Sequence, residues 1–213
     1  YKKRRQSISV LGDPIISDRH NKECLRAFID SYPNACFYHV QDHIASILAE
    51  HGFYMTDMGP QHVIHLSEFT GSWGHYNSLR SGVNKAKRRH ITIREDKPRQ
   101  FNRDMLVDIH KNWVKHRKNP YDQAFLIRPL DFKDRKDCRY FFAYDGDTVI
   151  AYYVFTPLYN NGQVTGYYAD NCRYISTAPK GVTDLLVYTA LTKFKCEGYE
   201  KVGMGLCPFS EAN

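Results

Sequence analysis

A carboxylate on the apolar side of a helix is an unusual placement. The segment Gly181-Val-Thr-Asp-Leu-Leu-Val-Tyr-Thr-Ala-Leu-Thr-Lys-Phe, near the end of this 213-residue chain, has one. Val187, Tyr188, Leu191 and Phe194 recur at three- and four-residue spacing and predict the buried stripe of a helix; Asp184 lies three residues before the first of them, on the same face. A buried carboxylate is either well paired or kept for a purpose, such as holding a cation or moving a proton. The competing reading is a first-turn acid that complements the helix dipole and bonds free amides, an effect of roughly 0.3–1 kcal/mol.

The elements around Asp184 form a definite order. Arg139 to Tyr144 reads as a short aromatic strand, Asp145-Gly146 as a tight turn, and Thr148 to Phe155 as a strand rich in β-branched and aromatic residues. Asn161-Gly162 signals a second hairpin, which leads into a strand from Val164 to Asp170. A loop with Pro179 and Gly181 follows, then the helix to about Glu197 and a short strand at Lys201 to Gly205. This β-β-β-α-β order resembles the core of the Gcn5-related acyltransferase fold. The resemblance implies that a substrate carbonyl sits between the third of these strands and the last.

The first part of the chain alternates in its own way. Ile8 to Leu11 predicts a strand ending in a Gly12-Asp13-Pro14 turn, Asn21 to Ser31 a helix with Leu25, Phe28 and Ile29 inward, Ala35 to Val40 a strand, and Gln41 to Glu50 a helix ending at Gly52. The charged stretch Glu95 to Pro98 lacks apolar periodicity, so the expected division is 1–95 and 96–213. Both halves read as mixed α/β units.

The formal net charge is +7, and it is concentrated. Arg80, Lys85, Lys87, Arg88, Arg89, His90, Arg94, Lys97, Arg99 and Arg103 crowd together against only Glu95 and Asp96, and a second group follows at Lys111, Lys115, His116, Arg117 and Lys118. Both groups fall on expected helices. In the first, Leu79, Val83 and Ala86 make the buried stripe, which leaves Arg80, Lys87 and Arg88 outward. Such a distribution favours a polyanion partner, either nucleic acid or an anionic membrane surface, over a merely solvated face.

Composition excludes several classes. The six cysteines include no Cys-x-x-Cys pair, and a chain long enough to bury roughly 70% of its unfolded surface needs no staple, so reduced thiols are expected. His62 with His65 and His39 with His43 lack a cysteine or acid at zinc-ligand spacing, and neither a Gly-x-Ser-x-Gly elbow nor a glycine-rich phosphate loop is present. The reading therefore includes no metal and no cofactor. No apolar run approaches the ~20 residues that span a bilayer. The expected setting is the cytoplasm, at the inner face of the cell membrane or fused to an upstream membrane segment.

Leu11-Gly-Asp-Pro14, Phe37-Tyr38, Leu79-Arg80 with Val83-Asn-Lys-Ala86, Trp113, Asp170 with Arg173, Gly181 with Asp184, Gly198-Tyr199, Gly203-Met-Gly205 and Pro208 together resemble the catalytic domain of phosphatidylglycerol lysyltransferases, over nearly the whole chain. The segment Asn119 to Ile127 departs from the family pattern. The resemblance implies an α/β fold of two tandem Gcn5-like subdomains, each a mostly antiparallel sheet flanked by helices. It also implies an enzyme that takes an aminoacyl group from aminoacyl-tRNA and passes it to a hydroxyl of phosphatidylglycerol or a related acceptor. The expected partners are aminoacyl-tRNA and anionic phospholipid.

Transfer between oxygens of an activated ester requires orientation, a proton relay and oxyanion stabilisation, and the donor's cationic α-amino group calls for an acid. Asp184 and Asp170 are the candidates for the amino-group and relay roles. Arg173 and Lys180, beside Gly181, are candidates for phosphate or oxyanion contacts, and Arg80, Lys85, Lys87, Arg88 and Arg89 for tRNA phosphates. Two alternatives stay open. An acyl-CoA-dependent N-acyltransferase fits the element order, but Ser176-Thr-Ala-Pro-Lys-Gly-Val182 offers one glycine and a proline where a pyrophosphate needs free amides. A non-catalytic RNA- or membrane-binding module explains the charge but leaves Asp170 and Asp184 without a role.

Overall fold

The computed structural model describes residues 2–4, 7–72, 77–101, 103–117 and 133–207; Lys118, the Asn119 to Ile127 segment and Pro208 lie outside the described residues. The chain forms two compact units, Tyr1–Met58 and Gly59–Asn213. The expected division at residue 95 falls inside the second unit.

In the first unit, β1 (Lys2–Arg4) pairs antiparallel with β2 (Ser7–Leu11), which pairs in parallel with β3 (Ala35–Tyr38). Helix α1 (Asn21–Ser31) makes the crossover, and α2 (Asp42–Glu50) follows β3. Leu25, Ile44, Ile47 and Leu48 form its core, with Ile29, Phe37, Val40 and Phe53 packed around them.

The second unit is built on one sheet, in the order β4-β9-β8-β7-β6-β5. Its strands are β4 (Gln61–His65), β5 (Thr92–Glu95), β6 (Arg139–Asp145), β7 (Thr148–Asn160), β8 (Gln163–Tyr174) and β9 (Lys201–Leu206). Helices α3 (Asn77–Arg88), α4 (Arg103–Lys115) and α5 (Val182–Cys196) complete it. All pairings are antiparallel except β8 with β9. The expected β-β-β-α-β order is present as β6–β7–β8–α5–β9. The hairpin between β7 and β8 turns at Asn161 and Gly162, both at positive φ (48° and 79°), as a two-residue turn matched to strand twist requires.

One face of this sheet buries Phe141, Phe155, Tyr167 and Val202 against Leu186 and Phe194 of α5. The other buries Tyr140, Phe142 and Tyr152 against Leu106 and Ile109 of α4. The sheet-facing stripe of α5 is Val182, Leu185, Leu186, Ala190, Leu191 and Phe194. Val187 and Tyr188, expected within that stripe, are only half-buried, because α5 has a second contact: α3 lies alongside it. The two helices run in the same direction, with Gly82 beside Gly181 and Asp184, and Lys87 over the ring of Tyr188 at 5.4 Å. Val83 and Ala86 are buried as expected, whereas Leu79 is 39% exposed. Leu79 sits a turn before Gly82, near the N-terminal end of α3.

The contact between α3 and α5 depends on two glycines. A Cβ on Gly82 would stand 2.6 Å from Asp184 Oδ2, and one on Gly181 would collide with the Gly82 carbonyl. Gly181 is also at φ 91°, where side chains are strained. At the far end of α5, Arg139 bonds both Glu95 and Glu197, and Lys193 also pairs with Glu95. Burial acts to raise the Glu95 carboxyl, but the bonds from Arg139 and Lys193 outweigh it and hold the carboxyl below its ordinary range.

Gly181→Ala combines left-handed strain with overpacking, and is expected to cost about 2–4 kcal/mol in denaturant unfolding with an unchanged slope. Gly198→Ala is the control. Its φ is 84° but nothing lies within 4 Å of the added carbon, so only the conformational part of the cost, about 1–2 kcal/mol, is expected. Equal losses in the two variants would show that the helix contact tolerates a methyl group.

Candidate functional site

Strands β8 and β9 pair over only three positions, from Gly166 with Lys201 to Tyr168 with Gly203. Beyond them the strands part: β9 continues along β4, with Gly205 opposite His62 and Leu206 opposite Gln61, while β8 runs on along β7 to Tyr174. A parallel pair that separates in this way leaves a cleft in the middle of a sheet, lined by backbone groups that no neighbouring strand takes. Just past the last pair, the β7–β8 register steps from Phe155 opposite Ala169 to Val154 opposite Asn171. Asp170 is the extra residue of this bulge. It therefore does not close a strand in a turn; it sits half-buried in mid-strand at the cleft, where a bulge re-aims side chains.

The bulge also resets which side chains share a face. Ala169 belongs to the core under α5, and beyond the bulge it is Cys172, opposite Tyr153, that returns to that face. Burial pushes the Cys172 thiol up to about 12, with the Arg173 guanidinium opposing and the Asp184 carboxylate adding to the rise. Burial likewise raises the Tyr153 hydroxyl, reinforced by Cys172, Tyr168 and Asp170. Cys172 thus lies within electrostatic reach of both Tyr153 and Asp184, and Tyr153 within reach of Asp170.

Asp184 occupies the third position of α5, whose N-cap is Gly181 with no side-chain capping bond. Its carboxylate makes no hydrogen bond or ion pair among the described residues. It is half-buried against Gly82, and desolvation raises its pKa. It does lie in the first turn of α5, where it complements the helix dipole, but it makes none of the amide bonds that the first-turn reading expects. A half-buried carboxylate that lacks a partner is suited to a cation.

Lys180 is exposed at the mouth of the loop before α5. Several amides of that loop are already committed: Ser176 N–H donates to Asn112 Oδ1 at 2.7 Å, Ala178 N–H to the Ile175 carbonyl at 3.0 Å, and Val182 N–H to the Pro179 carbonyl at 3.2 Å.

Arg173 is the next residue along β8 from Cys172. It lies on the α4 face, 3% exposed, its guanidinium 3.9 Å from the ring centroid of Trp113, with Nε donating to His110 Nδ1 at 3.3 Å and Nη1 to the Cys172 carbonyl at 2.8 Å. Arg117 packs on the same indole at 4.4 Å.

Arg80, Lys85, Lys87, Arg88 and Arg89 are all exposed on α3 and the turn after it. None has an acidic partner among the described residues; Arg80 bonds Asn77 Oδ1 at 2.9 Å. Neighbouring cations are neutralised instead, Lys97 by Asp134 at 3.2 Å and Arg139 by Glu95 and Glu197. Among the described residues the α3 surface is therefore an uncompensated positive patch on the helix that touches Asp184. Among the described residues no group of His, Cys, Asp and Glu side chains is arranged to hold a metal, and no helix is long and apolar enough to cross a membrane.

Two participants escaped the sequence reading. Gly82 carries a signal, since an isolated glycine inside a helical pattern marks a close approach. Tyr153 carries none, being one aromatic among several in an apolar strand.

The family model described as phosphatidylglycerol lysyltransferase, C-terminal, matches residues 1–213. A phosphatidylglycerol lysyltransferase of Staphylococcus xylosus is 24% identical over 225 residues, covering 99% of this chain and 25% of the relative; the chain spans about a quarter of that protein's length. Among solved structures, L-PGS from Bacillus licheniformis superposes with a TM-score of 0.82 at 21% identity, over 99% of this chain and 65% of the other. The C-terminal domain of a putative lysylphosphatidylglycerol synthetase from Agrobacterium fabrum gives 0.75 at 18% identity, over 99% and 67%. The two structural likenesses are likenesses of fold.

The raised pKa of Asp184 has a consequence for stability. Between the unfolded carboxyl value near 3.9 and the higher folded value, the native state keeps a proton that the unfolded state has released, so this group's contribution falls as pH rises through that window. Asp184→Asn removes the cost. At pH 7 the variant is expected to melt at an equal or higher temperature than the parent, with the difference closing below about pH 4. A clear loss of melting temperature at pH 7 would mean that the carboxylate is paired.

Proposed function

The chain belongs to the phosphatidylglycerol lysyltransferase C-terminal family, and on that premise we propose that it is an aminoacyltransferase moving an aminoacyl group from aminoacyl-tRNA to a hydroxyl of phosphatidylglycerol or a related anionic lipid. The observation that carries the reading is Asp184, a half-buried carboxylate with no partner among the described residues, within electrostatic reach of Cys172 on β8 and against a helix whose cations have no acidic partner among those residues. The donor has the matching pieces: an α-ammonium group for the acid, an ester carbonyl for the cleft, and a phosphate backbone for the helix.

In this reading Asp184 orients the donor through its ammonium group. The acceptor oxygen attacks the ester carbonyl, forming the new C–O bond, and the C–O bond to the tRNA ribose breaks. The acceptor proton passes to the departing ribose oxygen, with Asp170 as the relay. Lys180 reaches phosphate at the mouth of the loop, and Gly181 lets the backbone come close. Arg173, closed under Trp113, supports the end of β8. The reaction is expected at the inner face of the membrane, where the acceptor lipid is found.

The committed amides of Ser176, Ala178 and Val182, together with Pro179, argue against acyl-CoA as donor. Losing two charge-assisted bonds to a pyrophosphate would weaken binding by about two to four orders of magnitude. Calorimetry with acetyl-CoA at high micromolar concentration is therefore expected to show no saturable heat. Incubation with a charged tRNA pool and phosphatidylglycerol vesicles, followed by thin-layer separation, is expected to yield an aminoacylated lipid. A saturable acetyl-CoA heat with no new lipid would move the protein to the acyl-CoA class.

For tRNA, contact of α3 with about five phosphates gives a slope of log affinity against log salt of roughly −3.5 to −4.5. Reversing the charges of Arg88 and Arg89 is expected to weaken binding and flatten that slope. An unchanged slope would remove α3 from the interface.

A further inference from the structure

We propose that Tyr153 is a further catalytic residue, its hydroxyl donating to the carbonyl oxygen of the aminoacyl ester and to the oxyanion that forms there. The inference rests on the aminoacyl-transfer reading above and names a group of the same site. Tyr153 stands on β7 directly opposite Cys172, on the α5 face of the sheet, and Asp170 is the bulge residue two positions before Cys172 on β8. Residues opposite one another across antiparallel strands have Cβ atoms roughly 4.5–5.5 Å apart, so the ring projects from the same patch of sheet as the Cys172 thiol. Its stacking on Phe155, with centroids 4.8 Å apart and planes 22° from parallel, fixes the ring without engaging its oxygen.

The hydroxyl makes no hydrogen bond among the described residues, although the ring is half-buried and packs against the α5 core. Tyr144 and Tyr167 of the same sheet are engaged, Tyr144 donating to Asp96 at 2.8 Å and Tyr167 to Tyr199 at 3.3 Å; Tyr152, whose hydroxyl is also without a bond among the described residues, faces α4 and not the α5 side. A half-buried donor left open across from Cys172, within reach of the relay acid's charge, is suited to an oxygen that arrives with substrate. Burial keeps the hydroxyl protonated, so Tyr153 acts as a donor and not as a base. The balance of the step is unchanged: as the acceptor oxygen bonds the carbonyl carbon, the carbonyl π pair moves onto oxygen under the hydroxyl. When that pair returns, the ribose oxygen leaves with the acceptor's proton. Tyr153 keeps its own proton throughout.

The test is Tyr153→Phe, which keeps the ring, its stacking and its apolar contacts. Turnover is expected to fall by about 10²-fold with KM for aminoacyl-tRNA raised by no more than about tenfold, while the melting temperature stays equal or rises. Retained turnover would overturn the proposal, as would a drop in melting temperature that accounts for the lost activity. A second measurement does not depend on transfer. Calorimetry with a panel of amino-acid amides, which carry the ammonium group and carbonyl but no ribose, is expected to show about 5- to 10-fold weaker binding to the Phe variant and to Asp184→Asn. If the parent transfers no aminoacyl group to lipid but the amides still bind in a Tyr153-dependent way, the acceptor assignment fails and Tyr153 stands. If amide binding is indifferent to Tyr153, the proposal falls whatever the acceptor.

Discussion

The close approach of two backbones at Gly82 and Gly181 is the constraint on which the site depends. It brings α3 against the first turn of α5 with no side chain between them, and this both half-buries Asp184 and sets an exposed row of cations next to it. Any larger residue at either position would push the helices apart, rehydrate the carboxylate and carry the positive surface away from the cleft. The left-handed conformation of Gly181 serves the same end, since it starts α5 abruptly and brings its third residue to the contact.

The cleft itself comes from sheet mechanics. Three rungs hold β8 to β9, and the bulge at Asp170 adds twist to β8 where it leaves its partner. One inserted residue thus does two things: it opens the sheet and it changes the face on which the following side chains emerge. Cys172 goes to the α5 side and Arg173 to the α4 side. Residues three apart in sequence, Asp170 and Arg173, therefore serve different surroundings, one at the cleft and the other beneath an indole.

Much of the architecture was legible in the letters. Strong turn signals and the three- and four-residue spacing marked every strand and helix of the β6–β7–β8–α5–β9 core, because Asn161-Gly162 admits few alternatives to a hairpin and Gly181 ends the preceding loop. The length of β8 was not legible: its last residues, Asn171 to Tyr174, look polar, yet they are held by β7 on one side and α4 on another. The partner of α3 was also invisible. A stripe of apolar residues reports that a helix is covered, not by what, so Val187 and Tyr188 looked like sheet contacts and Leu79 looked buried. Within the site, Asp184 could be found from its position in a periodic pattern. Tyr153, proposed as a further member, could not, because it is one aromatic among several in an apolar strand and its place opposite Cys172 depends on the bulge. The whole-chain resemblance to a family gave the chemistry, which spacing alone did not.

The sheet order has one consequence for how the chain is made. Among the described residues strand β4 pairs with β9 alone, with His65 opposite Lys201, 136 residues further along. At a synthesis rate of roughly 5–20 residues per second, β4 waits on the order of 10 s for its partner to be synthesised, and longer for that partner to clear the ribosome. The central position of β9, between β4 and β8, means that the newest segment must insert between two older ones. Sheet closure is then the last event of folding, with loop-closure entropy to overcome. Until it happens, β8 presents a bare edge at the site of the future cleft. The nascent protein is thus most exposed to mispairing at that edge.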